Sequence, residues 1–190
     1  LMHLPAGAKL ECFLTSDYSQ LAAALRPFRA IHHLREAKIL NVTTRSFKDY
    51  ADQMKAKFGT ELKQIDLDTV VQAFNAISDA DARAETERWI KGAEAIIEPP
   101  REEIFKSCKL ALAFENMMAA EDATVLTVDC YGTMWSKTIK LPAYPCVGFC
   151  RLNDMGLGGI CESDLRSAMT HIVLQGLTGK PGFISDLTVD

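Results

Sequence analysis

Apolar positions recur along this chain in two periods, and the alternation between those periods predicts its architecture. Residues 18 to 36 are rich in Ala and Leu, a helical composition, but Pro27 interrupts them, so the pattern predicts a short helix and then another starting near the proline. KILNVTT (38 to 44) reads as a buried strand. In the next segment Phe47, Tyr50, Met54 and Phe58 fall at helical spacing, with Ser46 positioned to cap and Gly59 to stop the helix. TELKQID then alternates as a half-buried strand does, and Asp66 or Asp68 can cap LDTVVQAFNAIS. A more charged helix over about 79 to 95 carries Trp89 and Ile90 on its apolar side.

Pro99 and Pro100 open a long helix, because proline is tolerated in a first turn and the acids behind it suit the positive helix end. Ile104, Cys108, Leu112 and Met118 give that helix an apolar stripe. TVLTVDC (124 to 130) is the clearest buried strand, with Asp129 near its carboxyl end, and YPCVGFCRLND reads as a further strand. GLGGICESDLRSAMTHIVLQGLTGKPGFISD then supplies a loop, a short strand, a helix and a last strand. Strands alternating with helices argue for α/β architecture, a parallel sheet layered with helices on both faces in the three-layer manner of flavodoxin and Rossmann folds. Ligands of such sheets collect at the carboxyl ends of the strands. The positions to examine are therefore 43 to 46, 129 to 132, 151 to 154, 161 to 164 and 185 to 190.

Composition narrows the function classes. With 190 residues, 48% of them hydrophobic and 24% charged, the chain has enough apolar content for a core, and disorder as its main state is excluded. Lys and Arg number 21 against 25 Asp and Glu, a net charge of -4, and neither sign gathers into a block. That excludes nucleic acid and membrane surfaces as first guesses. No apolar run approaches the roughly 20 residues that span a bilayer, so the chain reads as cytoplasmic. Its opening at Leu1 and its stop after ISDLTVD read as the ends of a piece cut from a longer protein. The six cysteines form no C-x-x-C pair and read as reduced core thiols, Cys130 among them. Cys146 and Cys150 lack partner ligands for zinc, since the histidines are only His3, His32, His33 and His171.

The candidate chemistry lies late in the chain. GLGG is not G-x-G-x-x-G, and acids rather than a lysine follow it, which disfavours phosphate binding. Ser163 is a plausible N-cap, and a helix dipole alone would account for Glu162 and Asp164. Glu162 can also be read together with Asp186, 24 residues later and one helix and strand further on, where a βαβ step brings the chain back to a neighbouring strand end. Two such oxygen ligands suit Mn²⁺ or Mg²⁺.

CESDLRSAMTHIVLQGLTGKPGFISD, preceded by VDCYG and YPCVGFCRLNDMGLGG, resembles the central domain of the L-fucose isomerase and L-arabinose isomerase superfamily, nearest its fucose isomerase-like members. The resemblance implies that residues 1 to 45 end a first α/β domain, that 46 to 190 form a second, and that a third domain lies outside the chain. It also implies a metal-dependent sugar isomerase in which Glu162 and Asp186 are catalytic and bind a divalent metal, Mn²⁺, together with a histidine of that third domain. The substrate would be a small-molecule sugar, interconverted between aldose and ketose through an ene-diol, and the protein a homo-oligomer. Without its third domain the chain alone would be inactive.

Other residues carry plainer readings. His171 falls nine residues beyond Glu162 in a helix rising about 1.5 Å per residue, which sets it well below the strand ends as a structural or surface histidine. His32 and His33 read as solvated. Trp135 suits packing under a loop, or stacking on a sugar. The competing functional reading is a non-catalytic sugar-binding or regulatory α/β module, which needs no converging acids, and a third is a structural assembly domain.

Overall fold

The computed structural model describes residues 13–135 and 139–184. Among them the chain forms α1 (Tyr18–Glu36), β1 (Lys38–Val42), α2 (Lys48–Phe58), β2 (Glu61–Ile65), α3 (Leu67–Ala76), α4 (Asp79–Gly92) and α5 (Arg101–Glu121). The second half adds β3 (Val125–Val128), α6 (Cys130–Met134), α7 (Cys146–Asp154), β4 (Gly158–Cys161) and α8 (Leu165–Thr178). The four strands are parallel in the order β2-β1-β3-β4. The chain first adds β2 on one side of β1 and then returns to add β3 on the other, so the order reverses between β1 and β3. At such a reversal the loops leaving the two strands diverge and open a crevice at their carboxyl ends.

Alternate residues of each strand serve opposite layers. Leu40, Val42, Leu126 and Val128 face α3, α5 and α7 through Val70, Leu110, Phe114, Phe149 and Leu152. Ile39, Val125 and Ile160 face α2 and α8 through Met54, Leu165, Ala168 and Ile172. α4 lies outside α5, joined by Ala82 and Ala113. The result is a three-layer α/β fold with helices on both faces. Residues on both sides of position 45 share it, because β1 is hydrogen-bonded to β2 and β3 and α1 packs on α8.

Several elements differ from the sequence pattern. Pro27 does not divide the first helix, which runs unbroken from Tyr18 to Glu36 with the proline inside it. The missing N–H frees the carbonyl of Ala23, which sits on an exposed turn where water can bond it. The strand expected in YPCVGFCRLND is instead helix α7, with Gly148, Phe149 and Leu152 on one buried face. A short apolar run fits either period, and here α5 supplies the partner. A Cβ built on Gly148 would lie 2.7 Å from the Phe114 ring, so only glycine lets α7 approach so closely. Ser46 makes no capping bond, since α2 begins after Phe47 without a side-chain cap. Asp66, not Asp68, caps α3. The last expected strand lies partly outside the described residues, and its described part, 181–184, is not strand.

β4 depends on close backbone approach. A Cβ on Gly159 would fall 2.5 Å from Cα and 2.7 Å from the carbonyl oxygen of Phe149, both backbone atoms of α7. The Asn153 side chain fastens the same junction, accepting from Gly159 N–H at 3.0 Å and donating to its carbonyl at 3.2 Å. Gly159→Ala must push α7 off the sheet, and we expect a loss of about 1–3 kcal/mol in a denaturant titration.

His171 is a core residue of α8, 1% exposed. Its Nδ1 accepts from Gly182 N–H at 3.3 Å, which leaves the proton on Nε2, where no hydrogen-bond partner of good geometry lies. A Cβ on Gly158 would sit 3.3 Å from its ring, so the imidazole lies beneath the amino end of β4, far from the strand ends that gather ligands. Burial pushes its pKa below the ordinary 6.5, and the Leu157 carbonyl opposes the shift only in part. Above 6.5 both folded and unfolded chains carry it neutral; as pH falls, the unfolded chain takes up the proton first, so stability declines. We expect the unfolding midpoint to drop as pH falls below 6.5, and the drop to be shallower in His171→Gln. A residual slope is expected from His33, whose pKa is likewise lowered, by burial and then by Arg29 and His32.

Candidate functional site

Asp129 follows β3 directly at the reversal point and is 4% exposed. Its Oδ2 accepts from the Thr43 hydroxyl at 3.0 Å and pairs with Arg45 Nε at 2.8 Å, both from the loop after β1. Its Oδ1 accepts from Gly132 N–H at 3.0 Å and so caps α6. A Cβ at Gly132 would fall 2.5 Å from that carboxylate, so the turn admits glycine alone without displacement. Arg45 reaches further. Its Nη2 donates to the Glu162 carbonyl at 3.3 Å, and its guanidinium lies 5.2 Å from the centre of the Phe47 ring. One half-exposed arginine therefore ties together the loops that leave β1, β3 and β4.

Glu162 follows β4 directly, half-buried, with φ of +63°, and Ser163 follows it with φ of +51°. Two consecutive residues with side chains in left-handed backbone store strain of about 1–2 kcal/mol each. Opposing that strain, Ser163 N–H donates to the Val128 carbonyl at 3.0 Å, and its hydroxyl donates to Asn41 Oδ1 at 2.6 Å. Ser163 is not the helix cap expected of it; it is 3% exposed, and Asp164 caps α8 by accepting from the N–H groups of Arg166 and Ser167. The Ser167 hydroxyl, followed by those two N–H groups and the Arg166 charge, outweighs burial and holds the Asp164 carboxyl below its ordinary value. A cavity of about 360 Å³ opens beside these residues, lined by Phe47, Tyr50, Ser163, Asp164, Leu165 and Arg166.

Beneath this edge a polar pair interrupts the apolar layer under α2 and α8. Asn41 and Thr127 are register partners on β1 and β3, both buried, and Asn41 Nδ2 and Thr127 Oγ1 have no hydrogen-bond partner. Tyr131 on α6 and Trp135 just after it are 70% and 62% exposed, with ring centres 5.5 Å apart and planes inclined by 19°. Trp135 thus stacks on a tyrosine that sequence reading passed over, although the i, i+4 spacing of the two aromatics was visible.

The strand-end acids do not all gather. Arg151–Asp154 belongs to α7 and precedes β4, so it lies toward the amino end of that strand. There Arg151 pairs with Glu85 at 2.8 Å and Glu115 at 2.7 Å. Burial pushes the Glu85 carboxyl up, but hydrogen bonds from Arg88 and Trp89 and the charge of Arg151 outweigh it and hold the group below its ordinary value. Asp186 lies outside the described residues, so of the two predicted ligands only Glu162 has a described position. Among the described residues no three His, Cys, Asp or Glu side chains are grouped to hold a metal, and these residues do not by themselves make a metal centre. Cys146 and Cys150 are exposed thiols on α7. Burial pushes the Cys130 thiol up to about 12, which keeps it protonated and unsuited to nucleophilic attack.

Compared with protein-family models and with curated proteins, the sequence matches none. Among the described residues no helix is long and apolar enough to cross a membrane.

The Ser163–Asn41 bond and the unpartnered Thr127 hydroxyl make opposite predictions. Ser163→Ala leaves the buried Asn41 oxygen unpaired and is expected to cost about 1–3 kcal/mol, whereas Thr127→Val removes a group that bonds nothing and is expected to be neutral or stabilising. Denaturant titration of both variants checks the pair.

Proposed function

We propose that this chain carries the central α/β domain of a metal-dependent aldose–ketose isomerase, with Glu162 and Asp186 as its working carboxylates. What supports the reading most is the left-handed backbone at Glu162 and Ser163. A glycine would take that conformation without strain, and strain held by surrounding bonds is characteristic of functional sites. It sets a carboxylate at the carboxyl edge of the sheet, beside the crevice where α/β proteins bind small ligands. The resemblance of the segment around CESD and FISD to fucose isomerase-like proteins supplies the reaction class.

Interconversion of an aldose and a ketose moves a proton between C1 and C2 of the open-chain sugar. A carboxylate within hydrogen-bond reach can take the proton from one carbon and return it to the other. Glu162 suits that work because its main chain is held by Arg45 and through Ser163, which fixes where its side chain leaves the backbone. A divalent cation held by Glu162, Asp186 and a histidine from outside the chain would stabilise negative charge on the sugar oxygens. The second reading, a sugar-binding module without catalysis, draws support from the exposed Tyr131 and Trp135 rings, which need no metal to hold a ligand.

In the complete enzyme that includes the histidine-bearing domain, Glu162→Gln is expected to lower the isomerisation rate by orders of magnitude and to weaken Mn²⁺ binding. The fold should change by under about 1 kcal/mol, since the glutamine keeps the backbone and its volume. Rate, bound manganese and thermal midpoint measured on one preparation check this. A variant with normal rate and metal content would leave Glu162 as a helix-start residue and favour the binding module.

A further inference from the structure

We propose that Tyr131 and Trp135 form a preformed stacking platform for the C–H face of a sugar, and so help to decide which sugar the crevice accepts. This rests on the sugar class proposed above and adds the residues that would recognise the ligand. The two rings lie one helical turn apart, stacked on each other and largely exposed. Large aromatic rings left in water lose the free energy that burial would give them. They are also held firmly. α6 is capped by Asp129, whose carboxylate is bonded by Thr43, Arg45 and Gly132, so the platform is built on the least exposed charge of the strand ends. A ligand landing on it would order little that is not already ordered.

The surroundings discriminate among ligands that stack on aromatic faces. Such a face carries partial negative charge and attracts cations, nucleobases and polarised C–H groups. The Arg45 guanidinium is paired with Asp129, the residue that caps α6, so it adds no unpaired charge to this end of the sheet. The chain has a net charge of -4 and no basic block of the kind that tracks a nucleic-acid backbone. A sugar presents C–H groups on one face and hydroxyls at its rim. The rim partners are at hand, because Glu162 follows Cys161, the register partner of Val128, and α6 begins two residues after that same Val128.

The test uses the 190-residue chain without added metal and with a chelator present, and L-fucose and L-arabinose as probes in saturation-transfer NMR. Saturation is expected to reach the C–H protons of at least one probe. Tyr131→Ala and Trp135→Ala should each weaken binding by roughly two- to tenfold, with Trp135→Phe retaining most of it. Thermal midpoints should stay near the parent value, because both rings are exposed. Absence of saturation transfer to both probes, or Trp135→Ala binding as the parent does, would overturn the platform. Transfer that survives Trp135→Ala, while turnover of the complete enzyme is lost in Glu162→Gln, removes the platform and leaves the isomerase reading standing. Transfer lost in Trp135→Ala, with turnover of the complete enzyme unaffected by Glu162→Gln, upholds the platform and removes Glu162 from the isomerase reading.

Discussion

The carboxylate of Asp129 is the constraint on which the functional edge depends. It is almost wholly removed from water, and a charge so placed is tolerable only when hydrogen-bonded and paired. Its partners come from two different loops, Thr43 and Arg45 after β1 and Gly132 after β3. Satisfying one buried group therefore joins the segments that leave β1 and β3 and orients α6. Because Arg45 also bonds the Glu162 carbonyl, the loop after β4 joins the same assembly. Removing either Asp129 or Arg45 would leave the other's charge or hydrogen-bonding capacity unmet, so the two are best regarded as a unit.

The layers around that edge are set by close approaches at residues without side chains. Gly148 admits Phe114 of α5, and Gly159 admits the backbone of α7. On the opposite face, a Cβ on Gly176 of α8 would stand 2.5 Å from Cα of Ala30 in α1, and Arg29 donates from Nε to the Gly176 carbonyl. These contacts hold helices against strands and against each other at distances a larger residue forbids, and packed interiors do not adjust cheaply to added volume. The position of β4, and with it of Glu162, follows from them.

Rigidity of this kind allows strain to be kept where it is useful. Glu162 and Ser163 occupy backbone conformations that favour glycine, and the bonds from Arg45, Val128 and Asn41 maintain them. The same region leaves two buried polar atoms unpaired, on Asn41 and Thr127. Three of the departures from the most stable local choice, the paired left-handed residues and the unpaired Asn41 and Thr127 atoms, thus lie near the carboxyl edge, while His171 Nε2 and the left-handed Asp122 lie toward the other end of the sheet. The group at the carboxyl edge is what one expects when an edge is shaped for a ligand.

How much of this was legible in the chain differs by element. The β-branched run at 124 to 130, the helical spacing of Phe47, Tyr50, Met54 and Phe58, and the stop at Gly59 were readable, because side-chain period and the left-handed freedom of glycine are local properties. So was the parallel α/β architecture, which follows from alternating periods. The identity of α7 was not, because PCVGFC fits a strand as well as a helix until Phe114 and Ala111 are known to lie against Gly148. Continuity of α1 through Pro27 was hidden for a related reason: the cost of a lost hydrogen bond depends on whether water reaches the freed carbonyl. At the site, the sequence by itself determined which acids follow strands. Only the tertiary structure decided that Asp129 is buried and bound from two loops, that Ser163 turns inward to Asn41 while Asp164 caps α8, and that Tyr131 shares its face with Trp135. Burial, pairing across loops and backbone strain are relations between residues distant in sequence, and no local pattern encodes them.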